Sequence, residues 1–227
     1  MHIARRRVFC SSLGDVFDNQ VSEQWRADLF GLISKTPNID WLLLTKRIGN
    51  VRGMMPLEWL GSDLHGPHGS VIHAAGWPAN VWAGATICNR EEMLRDGPKL
   101  KTIQCWHGAR TFWSVEPMLG DLGEIPRELM PDWIICGGES GPHARPMHPD
   151  WARSLLDQCQ AASVPFFFKQ WGEWVSVDHG PDDDSYDGKS CAWLNVDGKC
   201  YDPENGIDID LGLRKQTPLK RIVSEQL

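Results

Sequence analysis

Asp132-Trp133-Ile134-Ile135-Cys136-Gly137-Gly138-Glu139-Ser140-Gly141, then a helical pattern, then Pro165-Phe166-Phe167-Phe168-Lys169-Gln170-Trp171-Gly172-Glu173-Trp174 is the stretch that decides the fold. Trp133 to Cys136 is a short apolar run that stops at a glycine pair, as a fully buried strand does. Asp150 is a candidate N-cap, and Trp151, Leu155, Leu156 and Cys159 recur at helical spacing. Phe166 to Phe168 is a second buried run. Strand, polar loop, helix, strand is a βαβ unit, because parallel strands need a crossover of this length. Polar groups stand just past both runs, at the edge where α/β folds collect their ligands.

Four more apolar runs precede this unit: Val8–Cys10, Trp41–Leu44, Val81–Ile87 and Thr111–Val115. Between the first two lies a helical pattern with Ser22 as N-cap and Trp25, Leu29, Leu32 and Ile33 on one face. A charged helix is expected from about Arg90, and a loop over the Gly-, His- and Pro-rich residues 61–78. Six strands alternating with helices predict a parallel sheet with helices outside it. Every run is followed at once by polar residues: Ser12 and Asp15; Thr45, Lys46 and Arg47; Thr86 and Asn89; Glu116; Glu139 and Ser140; Lys169, Gln170 and Glu173. Barrels draw site residues from many strand ends, whereas open sheets concentrate them at one switch point. The expected fold is therefore a partial TIM-like (β/α)6 barrel of parallel strands over residues 1–175. Residues 176–227 form a C-terminal extension with a hairpin about Asp197-Gly198 and a polar tail.

The formal charge of −7 argues against a surface that is basic throughout, though Arg5, Arg6 and Arg7 cluster, as do Lys46 and Arg47. No apolar stretch reaches the ~18 residues of a membrane span, and no secretory h-region is visible. A cytoplasmic protein is expected. The 7 cysteines are scattered without a Cys-x-x-Cys pair, and His65, His68 and His73 sit in a loop without a matching thiol pattern. No metal ligands are assigned.

The candidate site residues are those at the strand ends. Glu116 could act as an acid, a base or a ribose ligand, or pair with Lys169 or Lys46. Gly137, Gly138, Glu139 and Ser140 form a loop that either admits an anion or amine close to the backbone or makes a tight βα turn. Ser12 and Thr45 complete the set of polar strand ends. Lys169 to Trp174 combines donors, an acceptor and two indoles, a mixture suited to a planar ligand and equally to a barrel corner.

Five segments together resemble the phage and prophage proteins named after gene products thirty-seven and sixty-eight. They are Val8–Asp18, Trp41–Arg47, Ser114–Gly120, Gly137–Met147 and Phe167–Glu173, in order across about residues 5 to 175. That family looks like distant radical S-adenosylmethionine enzymes. The resemblance implies S-adenosylmethionine and a [4Fe–4S] cluster as cofactors, with Glu116, Lys169 and Lys46 as catalytic candidates. Gly137, Gly138, Glu139, Ser140, Ser12 and Thr45 are then the cofactor-binding ones. The family's three-cysteine segment has no counterpart here, so the sequence reads as an N-terminally truncated form that lacks the cluster ligands. Its Gly-Gly-Glu also comes late rather than after an early strand. The alternative is a non-catalytic nucleic-acid-binding module for phage replication or DNA modification, kept by the tryptophan-rich corner and Lys46-Arg47.

Overall fold

The computed structural model describes residues 5–10, 14–60, 64–65, 71–72, 76–177, 192–195, 199–202 and 207–210. Ser12, His68, His73, the Asp197-Gly198 turn and the polar tail lie outside them. In chain order the elements are β1 (Arg6–Cys10), α1 (Glu23–Lys35), β2 (Ile39–Thr45), α2 (Val51–Met54), β3 (Leu64–His65), β4 (Val71–Ile72) and β5 (Val81–Thr86). Then follow α3 (Arg90–His107), β6 (Arg110–Val115), β7 (Ile134–Gly137), α4 (Pro149–Ala162) and β8 (Phe166–Gln170). A terminal group comprises β9 (Trp174–Val177), β10 (Ala192–Asn195), β11 (Lys199–Asp202) and β12 (Ile207–Asp210).

The six apolar runs are the six strands of one parallel sheet, ordered β1-β2-β5-β6-β7-β8. Each strand pairs with its successor in the sheet, and the buried apolar residues of α1, α3 and α4 all join one core against it. The sheet curls into an open half-barrel, as expected from the repeated polar strand ends.

The two faces differ. Leu43, Ala83, Ala85, Trp113, Val115, Ile134 and Cys136 belong to the large core, together with Ile33, Met93, Leu100 and Leu155 of the helices. The alternate residues Leu42, Phe112 and Ile135 form a separate inner cluster with Leu44, Trp82 and Trp133. Phe9 on β1 and Phe112 on β6 bring their ring centroids to 6.0 Å, although two strands lie between them. At ~4.8 Å per strand a flat sheet would hold them far apart, so the contact measures the curl. Gly84 makes the contact possible, since a Cβ there would overlap the Phe112 ring.

Three local expectations need correction. Helix α1 is capped by Ser22, whose side chain accepts from the Trp25 N–H, but its buried residues are Arg26, Phe30 and Ile33. Trp25 is 72% exposed and Leu32 48%. The buried Arg26 guanidinium donates to the Val16 and Val21 carbonyls, so a charged residue holds the position that pattern reading assigns to an apolar one. Helix α4 is capped by His148, whose Nδ1 accepts from Asp150 N–H, with Pro149 in its first turn. Asp150 thus lies one step inside the helix rather than at its cap. Finally, β3 and β4 pair as a short ribbon within the segment read as loop.

Beyond the half-barrel, β10 and β11 pair antiparallel as the expected hairpin strands. They belong to a four-stranded sheet, β12-β11-β10-β9, that was not foreseen. Among the described residues, no helix is long and apolar enough to cross a membrane.

Candidate functional site

The carboxyl ends of the strands form two polar corners. At the first, Asp15 follows β1 and joins it to the end of β2. Its Oδ1 accepts from Phe17 N (2.9 Å), and its Oδ2 accepts from Thr45 Oγ1 (2.9 Å), Lys46 N (3.0 Å) and an Arg47 guanidinium nitrogen (3.3 Å). Arg47 also pairs with Asp18 at 2.9 Å. The Thr45 hydroxyl accepts in turn from Arg47 N at 2.8 Å. Thr45 is buried and Lys46 exposed.

The second corner lies over β6, β7 and β8. A β-bulge opens it: Cys136 pairs with Phe168 but the next residue, Gly137, pairs with Gln170. Lys169 is therefore the extra residue, and a bulge re-aims side chains that would otherwise alternate between faces. Lys169 and Gln170, adjacent in sequence, both reach one carboxylate. Lys169 Nζ lies 2.7 Å and Gln170 Nε2 3.2 Å from Glu116 Oε1. Gln170 Nε2 donates also to Ser140 Oγ at 3.2 Å. The chain Lys169–Glu116–Gln170–Ser140 thus links three strand ends. Glu116 Oε2 takes no hydrogen bond from the described residues, and the Lys169 side chain is 48% exposed.

The glycines lock this corner. Gly138 N–H donates to the Gln170 carbonyl (2.9 Å) and Glu173 N–H to the Glu139 carbonyl (2.8 Å), so the two loops run side by side beyond the strands. A Cβ on Gly138 would overlap the Trp171 carbonyl, and one on Gly172, at φ +88°, would overlap that of Glu139. A Cβ on Gly137 would press on the Glu116 side chain. In this structure the glycine pair serves close loop packing. Glu139 turns away to Arg145, accepting from its Nε (2.9 Å), its guanidinium NH2 (2.7 Å) and its backbone N–H (2.8 Å). Those bonds hold its carboxyl down at about 2, against an ordinary 4.5.

Of the predicted residues, the fold brings together Glu116, Lys169, Gly137, Gly138 and Ser140. It places Thr45 and Lys46 at the other corner and Glu139 in an ion pair of its own. Asp15 is bonded more densely than Thr45 and Lys46 beside it, and Gln170 is the link between Glu116 and Ser140, though neither was among the site residues singled out. Arg145 sits in the Gly137–Met147 motif but six residues from its partner, a spacing without a local signature.

Iron–sulfur ligation calls for thiolates gathered in one place. The cysteines whose side chains are described are free and dispersed: Cys10, Cys88, Cys105, Cys136 and Cys159. Burial pushes the Cys136 thiol up to about 12 and those of Cys88 and Cys159 to about 11. No group of three His, Cys, Asp or Glu among the described residues could hold a metal ion. These residues do not fit a [4Fe–4S] cluster.

Fold and corner together define a parallel α/β half-barrel with a polar rim over β6–β8. Residues 2–204 match the model of the family described as a protein of unknown function, DUF5131, and the chain belongs to that family. It is the family of the phage proteins whose motifs this sequence resembles. No curated protein and no solved structure matches the chain.

Proposed function

We propose that this half-barrel binds S-adenosylmethionine at the β6–β8 rim, with Glu116 receiving the hydroxyls or amine of the nucleoside. One observation carries the reading. Glu116 is positioned by Lys169 and Gln170 on a single oxygen, which leaves Oε2 as a fixed acceptor at the mouth of a curled, aromatic-lined sheet. An oriented carboxylate of this kind is what a ribose diol or an amine calls for. Lys169 and the exposed Ser140 hydroxyl stand beside it to fix the ligand's orientation. When bound, S-adenosylmethionine supplies an activated sulfonium carbon. The chain's own part is to orient the nucleoside and shield one side of it with the apolar inner face. The Gly137-Gly138 turn supports this by holding the Lys169–Trp171 segment in place.

Isothermal titration of the full chain with S-adenosylmethionine and with 5′-methylthioadenosine tests this. One saturable site for both ligands is expected. Absence of saturable heat with either would remove the proposal.

A further inference from the structure

A second feature of the rim lies beside the Glu116 corner and is not used by it. Thr86 ends β5, is 5% exposed, and its hydroxyl has no hydrogen-bond partner among the described residues. Buried hydroxyls are normally bonded, so an orphan points to something that completes it. Thr86 lines a cavity of about 60 Å³ with Lys46, Cys88, Glu92 and Arg95. That is room for about two waters, or for one small polar group.

The surrounding groups narrow the chemistry. Asn89 caps α3 by accepting from Glu92 N–H at 3.0 Å, and Glu92 reaches back with Oε2 to Cys88 N–H at 2.7 Å. This bonding fixes the Glu92 carboxylate, which the Cys88 thiol also meets with a hydrogen bond. Arg95 is already engaged with Asp96 at 2.7 Å. The Cys88 thiol is held neutral by burial. Lys46 forms no ion pair among the described residues. A cation, a carboxylate held in place by its neighbours and an orphan hydroxyl therefore converge on one small space. A simple oxyanion would face Glu92, and a metal cation would face Lys46 and Arg95. A zwitterion offends neither.

We infer that this cavity receives an α-amino-carboxylate group, with the carboxylate toward Lys46 and Thr86 and the ammonium toward Glu92. Thr86 pairs in register with Ser114, two residues before Glu116, so the cavity and the Glu116 corner lie over neighbouring strands. S-Adenosylmethionine carries such a group at the end opposite its base, and to that extent the inference rests on the function proposed above. A free amino acid presents the same chemistry.

The experiment separates these sources. L-Methionine, methioninol, 5′-methylthioadenosine and S-adenosylmethionine are titrated calorimetrically into the full chain and into Thr86→Val and Lys46→Met. Because the Thr86 hydroxyl has no partner among the described residues, the isosteric valine should leave the urea midpoint unchanged. Both substitutions should weaken methionine and S-adenosylmethionine at least tenfold while leaving 5′-methylthioadenosine unaffected, and methioninol should not bind. Methionine binding that is lost in Thr86→Val, with neither nucleoside bound, would keep the inference and remove the proposed function. Nucleoside binding with Thr86→Val and Lys46→Met indistinguishable from the parent would show that the cavity holds water only. That result overturns the inference while the proposed function stands. Should Thr86→Val fail to fold, Lys46→Met decides alone, since its side chain is at the surface.

Discussion

The two corners of the rim share a plan, a carboxylate bridging strand ends through a basic side chain and a second polar donor, yet they differ in what is left over. Asp15 takes donors on both oxygens, three of them on Oδ2, and its side chain is 12% exposed. Among the described residues, Glu116 takes two donors on one oxygen and none on the other, and it is 20% exposed. A saturated carboxylate is a clasp, because any ligand would have to displace bonds already made. A half-saturated one held by its neighbours is preorganised for a partner from outside. Occupancy of lone pairs, more than residue type or position at a strand end, separates structural polar groups from those able to bind.

Four changes test that contrast. The largest effect is expected from Gly138→Ala, where the new methyl group meets the Trp171 carbonyl. Backbone must shift, and a loss of roughly 3 kcal/mol or more follows, together with the geometry of the Glu116 corner. Urea denaturation measures it, and a variant as stable as the parent would mean that the loops are not interlocked.

Asp15→Ala comes next. It strands the Thr45 hydroxyl and the Lys46 amide and leaves Arg47 with Asp18 as its remaining carboxylate, at roughly 2–3 kcal/mol. The same assay should show only about 0–1 kcal/mol for Glu116→Gln, because Lys169 is half exposed and such pairs are weak. Equal costs for the two variants would erase the distinction between clasp and open corner.

The Glu139–Arg145 pair gives a pH-dependent contrast of smaller size. Glu139 is depressed from 4.5 to about 2 by its bonds to Arg145. A carboxyl with a lowered folded value stabilises fully above its unfolded value, and that contribution is lost as pH falls from about 4.5 towards 2. Carboxyl NMR titration should find Glu139 still ionised at pH 3.5, with Arg145→Ala restoring an ordinary carboxylate midpoint. A midpoint near 4.5 in the unaltered protein would show that the ion pair does not persist in solution.

Much of the half-barrel was legible because a fully buried parallel strand has to be continuously apolar, and six such runs stand out. That the runs lie side by side as parallel strands followed from their alternation with helices. The polar residue after each run marked the rim, and the pairing of Glu116 with Lys169 was among the possibilities it raised. Other details depend on information that no local pattern carries. The bulge at Lys169 is a mismatch between β7 and β8, so strict alternation would send Lys169 and Gln170 to opposite faces. Arg26 occupies a core position because two carbonyls from the preceding loop receive it, which spacing alone cannot reveal. The orphan state of Thr86 emerges only when its neighbours are in place, and in the sequence it is one more polar strand end. The antiparallel sheet was half read, since β9 follows the Lys169–Trp174 corner without a turn signal as clear as Asp197-Gly198.

The central claim is that the open corner binds and the clasp only holds. Calorimetric titration of S-adenosylmethionine into the parent chain, Glu116→Gln and Asp15→Asn, under conditions where urea curves show each to be folded, tests it most directly. The account predicts at least tenfold weaker binding for Glu116→Gln and unchanged affinity for Asp15→Asn. Equal affinity in the parent and Glu116→Gln, or a loss confined to Asp15→Asn, would contradict it.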